Sequence, residues 1–265
     1  MGTPKAALDW HGSTLLRRVT GLAQRALDGP VVVVRAPFQE LPALHPSIEV
    51  VSDAREGRGP LQGLAAGLAA IGERAGVAYV SATDVPLLHP AFVRRVVGAV
   101  SGDVDVVLPE VHGFRQPLSA AYRTSLRPEV EALVAADKLK PAFLFERCRV
   151  LVLDGAAMLR DSALAAGDPG LDSVRNLNEP SDYAAAHAQP APGIEVRRFG
   201  TLAMNGAQEV QRVPAWTLGQ LADTIGLVVD ERIVAALNGD QITPDRQLPL
   251  AAGDTVDFIV ADVDG

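Results

Sequence analysis

Five apolar, mostly β-branched runs punctuate the first 190 residues: Val31–Val34, Ile48–Val51, Val77–Val80, Val104–Leu108 and Val150–Leu153. Runs of this kind suit strands buried on both faces. Between them lie stretches with helical spacing, at Thr14–Leu27, Leu61–Ala75, Pro90–Val100, Leu126–Ala136 and Pro141–Arg147. Strand and helix alternating in this way predict an α/β architecture, a doubly wound and mostly parallel sheet. Leu118–Tyr122 reads as an additional strand, antiparallel or bent.

Residues 51–68 carry the strongest chemical signal. A β-branched run ends in Asp53, passes through a loop with Gly57 and Gly59, and enters a small-residue helix through Pro60, Leu61 and Gly63. In an α/β sheet this order places the loop at the carboxyl edge of a strand. The following helix start can then hold an anion through free backbone N–H groups and its dipole. Pro60 suits the first helical position, which lacks a partner for its N–H in any case. The run Val77–Val80 ends similarly, in Ser81-Ala-Thr-Asp84-Val-Pro86, and delivers a second carboxylate. Two acids and a glycine loop suggest a metal–phosphate site. Asp84 is the best Mg²⁺ candidate, since that ion takes one or two carboxylates and leaves its other positions to phosphate and water. The alternative for both Asp53 and Asp84 is capping of the next helix. Lys5, Lys138 and Lys140 are the only lysines beside 21 arginines. A compact ammonium suits a crowded phosphate site; the plainer reading of Lys5 is a solvated surface residue.

A net charge of −8 argues against nucleic acid or an anionic membrane as the main partner. The acidity is concentrated late in the chain: from Ile194 onward there are five Arg and no Lys against eleven Asp and Glu, a net −6. One cysteine, Cys148, forms no internal disulfide and reads as a buried filler; a reducing cytosol is the simplest setting. No apolar stretch reaches the length of a membrane span. The five histidines (His11, His45, His89, His112, His187) show no ligand spacing and read as surface or loop residues. Trp10 and Trp216 read as core or domain-contact residues.

Gln189-Pro-Ala-Pro-Gly193 reads as a linker, dividing a domain at 1–188 from one at 194–265. Beyond it the pattern changes to short strands at Ile194–Phe199 and Glu209–Val213, a helix at Thr217–Ile225 capped by Thr217, and strands at Ile233–Leu237 and Val256–Val260. Asn238-Gly239 is a hairpin turn signal. The order ββα-ββ predicts a small α+β roll.

The first part resembles the molybdenum cofactor guanylyltransferases within the NTP-transferase family. The matching pieces are Met1-Gly2-Thr-Pro-Lys5-Ala-Ala-Leu8, Asp53 with Gly59-Pro60-Leu61-Gln62-Gly63-Leu64, Thr83-Asp84-Val85-Pro86, Gln116-Pro117-Leu118 with Tyr122-Arg123, and Asn176-Leu177-Asn178 through Asp182. The resemblance implies a Rossmann-like NTP-transferase fold and a Mg²⁺-dependent transfer of GMP from GTP to a molybdopterin-type cofactor. It implies Lys5 and Asp84 as catalytic, with Asp84 on the metal. Lys5, Asp53, Gly57, Gly59, Pro60, Leu61 and Gly63 would meet the nucleotide, and Gln116, Asn176 and Asn178 the acceptor. Arg115 and Arg123 are weaker candidates. Members of that family carry a strand and a glycine-rich loop directly before the Met-Gly matched here. The expectation is therefore that the numbered start is truncated or mis-assigned, and that GTP binding needs the segment ahead of it.

The second part resembles the β-grasp (ubiquitin-like) sulfur carriers of the molybdopterin-synthase small-subunit and thiamine-carrier type. The likeness rests on Phe199-Gly200, Ala236-Leu237-Asn238-Gly239 and Ala252-Gly253-Asp254-Thr-Val256. Active carriers end in Gly-Gly, whereas Asp264 precedes Gly265 here, so carrier chemistry is not expected. Its acidic surface is expected to suit partner proteins of the cofactor pathway. The rival expectations are another NTP transferase, cytidylyl or sugar-phosphate, and a non-catalytic binding or scaffold protein of the same pathway.

Overall fold

The computed structural model describes residues 4–53, 57–199, 202, 210–229, 233–242 and 245–260. The matched residues Met1, Gly2 and Gly200, the start of the Glu209–Val213 strand, and Asp264-Gly265 lie outside these. A short hairpin comes first (β1, Asp9–Trp10; β2, Ser13–Thr14), and α1 (Leu15–Ala26) follows. The chain divides into two compact units. One comprises 1–7 and 15–177, the other 8–14 and 178–265. This differs from a division at the 189–193 linker: the early hairpin and the helix before the linker both belong with the later residues, for reasons of aromatic packing given below.

In the first unit, β3 (Val32–Arg35) and β4 (Glu49–Ser52) pair in parallel, Val32 opposite Glu49. Helix α2 (Pro60–Ile71) and strand β5 (Val77–Ser81) come next, then α3 (Pro90–Gly98). A second sheet is built from β5, β6 (Val106–Val111), β7 (Phe114–Arg115), β8 (Ser119–Arg123) and β9 (Val150–Asp154). Strand β8 is antiparallel to both β5 and β6, as Leu118–Tyr122 led one to expect, while β9 runs parallel to β6. The expectation of one doubly wound, mostly parallel sheet therefore needs correcting: the strands fall into two sheets, and antiparallel pairings are prominent. No ladder joins β3 to β5; instead both line a cavity of about 650 Å³. Nor is β4 buried on both faces, for Val50 and Glu49 are exposed.

Local chemistry explains the helices. Pro60 starts α2 and its Leu61, Leu64 and Leu68 stripe faces the core. Gly67 faces β3, and a Cβ there would meet the Val34 Cγ2 at 3.5 Å, an ordinary packing distance. Against that stripe lie Ala78, Leu108, Ala120 and Tyr122, with Val130 and Leu133 of α4 (Arg127–Ala135) and Leu144 of α5 (Pro141–Phe145). Cys148 packs against this core, and burial, aided by Asp105 and Glu129, pushes its thiol up to about 11. Two short helices, α6 (Gly155–Met158) and α7 (Ser162–Gly167), each start on an aspartate cap, Asp154 and Asp161.

In the second unit, α8 (Pro180–His187) opens with a capping box between Glu179 and Asp182. Five strands follow: β10 (Gly193–Arg198), β11 (Gln211–Pro214), β12 (Ile233–Leu237), β13 (Asp240–Ile242) and β14 (Thr255–Val260), with α9 (Leu218–Thr224) after β11. Their order is β11-β10-β14-β12-β13, with the central β10–β14 pair parallel and the others antiparallel. Ile194, Val196, Leu218, Leu221, Val256 and Phe258 form the core. Thr217 caps α9, accepting from the Gln220 N–H at 3.3 Å. Asn238 and Gly239 both have positive φ, 54° and 93°, the conformation of a tight hairpin turn. The Asn238 side chain donates to Asp254 Oδ1 at 2.9 Å and accepts from the Thr255 N–H at 2.9 Å. Two sequence motifs some fifteen residues apart are thus one hydrogen-bonded corner.

Candidate active site

The glycine loop is held in conformations that side chains rarely adopt. Gly57 has φ 72°, and Gly59, the N-cap of α2, has φ 100° and ψ 177°. The turn at 137–139 closes over it. Arg58 pairs with Asp137 and donates to the Val134 carbonyl, and the Leu61 N–H donates to the Leu139 carbonyl at 3.3 Å. Gln62 N–H donates to the Gly59 carbonyl at 3.2 Å. The expected cradle of free N–H groups is corrected on this point: Pro60 has no N–H, and the next two are already given to protein carbonyls. Gly63 differs, because a Cβ there would meet no atom within 4 Å. Packing is not what requires glycine at that position, and Gly63 lines the cavity together with Pro60.

Thr83 lines the same cavity, from the segment after β5. Its neighbour Asp84 forms an ion pair with Lys5, Nζ to Oδ2, at 2.7 Å. Lys5 sits in a 3-10 turn, Lys5–Ala7, anchored by buried Ala6. The main chain around Asp84 is fixed separately: its carbonyl accepts from the Leu177 N–H at 2.9 Å, and Val85 is fully buried. The carboxylate is therefore not needed to hold its own loop. Helix capping is ruled out for both aspartates, since α3 is capped by His89, whose Nδ1 accepts from the Ala91 N–H at 3.1 Å, and α2 by Gly59. Asp53 directly follows β4, and its N–H extends the ladder to the Arg35 carbonyl at 2.7 Å.

The acceptor candidates are less gathered. Leu177 is 1 % exposed, and Asn176 and Asn178 on either side of it are both exposed. Asn178 falls in the second unit, its N–H donating to Asp182 at 3.1 Å. Gln116 turns its amide back on the Phe114 carbonyl of β7 at 3.3 Å, so it is engaged locally. Arg115 faces Glu110 at 3.5 Å. Arg123 is a backbone clamp, donating to the carbonyls of Val104 and Gly102 at 2.7 and 2.9 Å. Sequence reasoning missed the 137–140 turn against α2. A trace of it is visible in the sequence, since Lys138 and Lys140 flank Leu139.

Among the described residues, no three His, Cys, Asp or Glu side chains come together as a metal site. One mostly buried carboxylate next to an ammonium nonetheless suits a Mg²⁺ ion that arrives on a nucleotide, because phosphate oxygens and water complete its shell. The histidine expectation needs correcting for two residues. His11 stacks against His187 at 4.0 Å and against Trp216 at 5.0 Å, all within the second unit.

Comparison with known proteins places these features in context. The MobA-like NTP transferase domain matches residues 1–150. The chain is 28% identical over 187 residues to the probable molybdenum cofactor guanylyltransferase of Bacillus cereus (strain AH820), covering 70% of this chain and 88% of that protein. It is also 28% identical over 187 residues to the molybdenum cofactor guanylyltransferase of Desulfosudis oleivorans, at 71% and 87% coverage. Among solved structures, molybdopterin-guanine dinucleotide biosynthesis protein A from Archaeoglobus fulgidus aligns with a TM-score of 0.54 at 23% identity, covering 70% of this chain and 90% of that one. At that identity the likeness is one of fold.

Proposed function

Because the chain belongs to the MobA-like NTP transferase domain family, we propose that it transfers GMP from GTP to the phosphate of a molybdopterin-type cofactor. A nucleotidyltransferase role and the mixed α/β sheet fold follow from the family; the base and the acceptor are the further step, supported by what the 28% identical relatives are named for. In the reaction an acceptor phosphate oxygen attacks the α-phosphorus of GTP, a new P–O bond forms, and the bond to the β-phosphate oxygen breaks to release pyrophosphate.

The observation that carries the reading is the Lys5–Asp84 pair, next in the chain to Thr83, which lines the cavity together with Pro60 and Gly63 of α2. Asp84 would hold Mg²⁺, which when bound supplies neutralisation of phosphate charge. Lys5, freed from Asp84, would move its ammonium onto the phosphate oxygens as charge builds at the α-phosphorus. Gly57, Gly59 and Gly63 would let the nucleotide approach the main chain, and Asp53 would face it from the end of β4. Asn176 and Asn178 would offer amides to the acceptor.

For the second unit we propose a β-grasp domain, supported by the strand order β11-β10-β14-β12-β13 around a parallel central pair with α9 between β11 and β12. Its acidity would suit basic surfaces of pathway proteins. Single-cysteine usage supports a cytosolic setting. Incubation with Mg²⁺, a molybdopterin-type cofactor and either GTP or CTP, read by mass spectrometry, tests the assignment. A guanine dinucleotide with pyrophosphate is expected. A cytosine product would transfer the assignment to the cytidylyl class, and GTP binding without turnover would make the protein a binding partner.

A further inference from the structure

One guanidinium is buried in the first unit where an apolar side chain would be expected. Helix α1 buries Leu15, Leu16, Val19 and Leu22, and Arg18 lies among them at 3% exposure, while Arg17 and Arg25 of the same helix are only half-buried. Arg18 is the only basic side chain buried among the described residues. Taking a guanidinium out of water is costly unless its N–H groups are bonded. Arg18 Nε donates to the Pro86 carbonyl, 68 residues away in sequence, a charge-assisted bond of the stronger kind.

Pro86 belongs to the segment that carries Asp84 from the end of β5 to the start of α3. Two residues earlier the Asp84 carbonyl accepts from the Leu177 N–H at 2.9 Å, and Val85 between the two anchored carbonyls is fully buried. Further on, the Leu88 N–H donates to the Val85 carbonyl at 3.1 Å and the His89 N–H to the Ser173 hydroxyl at 2.9 Å. The proline ring fixes φ at Pro86 and disfavours helical backbone at Val85. With a carbonyl held on each side of Val85, the Asp84 main chain has little freedom, and its carboxylate meets Lys5 Nζ at 2.7 Å. All of these residues belong to the first unit. We propose that Arg18 is a positioning residue for Asp84: by holding the Pro86 carbonyl it sets where the carboxylate stands toward Lys5 and toward a Mg²⁺–nucleotide. This rests on the proposed role of Asp84.

The chain's three lysines give a readout that needs no metal. Competitive labelling with acetic anhydride, mapped by mass spectrometry on the metal-free protein, compares Lys5 with Lys138 and Lys140. Arg18→Met keeps an apolar side chain of similar reach and removes the donor. It should raise Lys5 labelling most of the way to the level of Asp84→Ala and leave Lys138 and Lys140 unchanged. Arg18→Lys keeps a charged donor and should recover part of the protection. Binding of Mn²⁺–GTP, followed by the electron paramagnetic resonance of the free ion, should weaken about 10–100-fold in Arg18→Met, the usual cost of removing a group that orients a metal ligand. Unaltered Lys5 labelling in Arg18→Met would overturn the proposal. Equal acceleration at all three lysines would do so too, since it assigns Arg18 to stability alone. If Arg18→Met does not fold, Arg18→Lys decides: intermediate Lys5 labelling supports the proposal, and labelling and Mn²⁺–GTP affinity both at the level of the unaltered protein refute it. The reading of Asp84 fails separately, if Asp84→Ala leaves Mn²⁺–GTP affinity and turnover intact while Arg18→Met still exposes Lys5.

Discussion

Asp84→Ala separates a structural carboxylate from one that serves chemistry. On stability the expected cost is small, for three reasons visible in the structure. The Lys5 side chain is 39% exposed, so losing its partner leaves it solvated rather than buried and uncompensated. Asp84 caps neither neighbouring helix. The bond from the Leu177 N–H goes to the Asp84 backbone carbonyl, which alanine retains. Partly exposed ion pairs contribute about 1 kcal/mol or less, and the unfolding free energy should fall by no more than that. Turnover should respond very differently. If Asp84 holds the ion that neutralises phosphate charge, losing it removes several kcal/mol of transition-state stabilisation, on the order of 10²-fold or more in rate. Denaturant unfolding measures the first quantity, and initial rates with GTP across a Mg²⁺ titration measure the second. Near-normal turnover at every Mg²⁺ concentration would refute the metal role. So would a loss of about 3 kcal/mol or more in stability, since the rate defect would then follow from unfolding.

Two further perturbations probe the surroundings. Gly59→Ala places a Cβ at φ 100°, in ordinary contact with the Leu139 carbonyl at 3.5 Å, so its cost is backbone strain of about 1–3 kcal/mol, read as a lowered unfolding midpoint; an unchanged midpoint would show that the turn relaxes freely. Cys148 should be sluggish toward iodoacetamide: with its pKa raised from 9.0 to about 11, the thiolate fraction at pH 8 falls about 100-fold, which higher intrinsic nucleophilicity offsets to a net slowing of about tenfold relative to an unfolded chain. The sign for stability follows from the same shift: the unfolded chain loses this proton first, so the contribution is present below pH 9 and is lost as pH rises toward 11.

Much of the local structure was legible in the sequence because its causes are local. Apolar runs placed β3, β5 and β9 to within a residue and β6 to within three, Pro60 and Pro90 marked helix starts, and Asn238-Gly239 marked a hairpin that needs two positive φ angles. Each rests on sterics or periodicity within about ten residues. The two carboxylates at strand ends were visible for the same reason, though not what they do: helix capping remained open for both until His89 and Gly59 were found at those caps.

What the tertiary structure alone decided involves partners far apart in the chain. No pattern at Lys5 reveals that its ammonium meets Asp84, 79 residues away. Nothing near Pro60 shows that the Leu139 carbonyl takes up the helix's first available N–H. Composition shifts pointed to a boundary at the 189–193 linker, since a Pro-Ala-Pro-Gly stretch reads as a break wherever it occurs. The packing instead joins Trp10 and His11 to His187 and Trp216. Burying the Trp10 and Trp216 indoles with the two imidazoles packed on them is a long-range gain, indifferent to sequence distance, and it groups the early hairpin with the second unit.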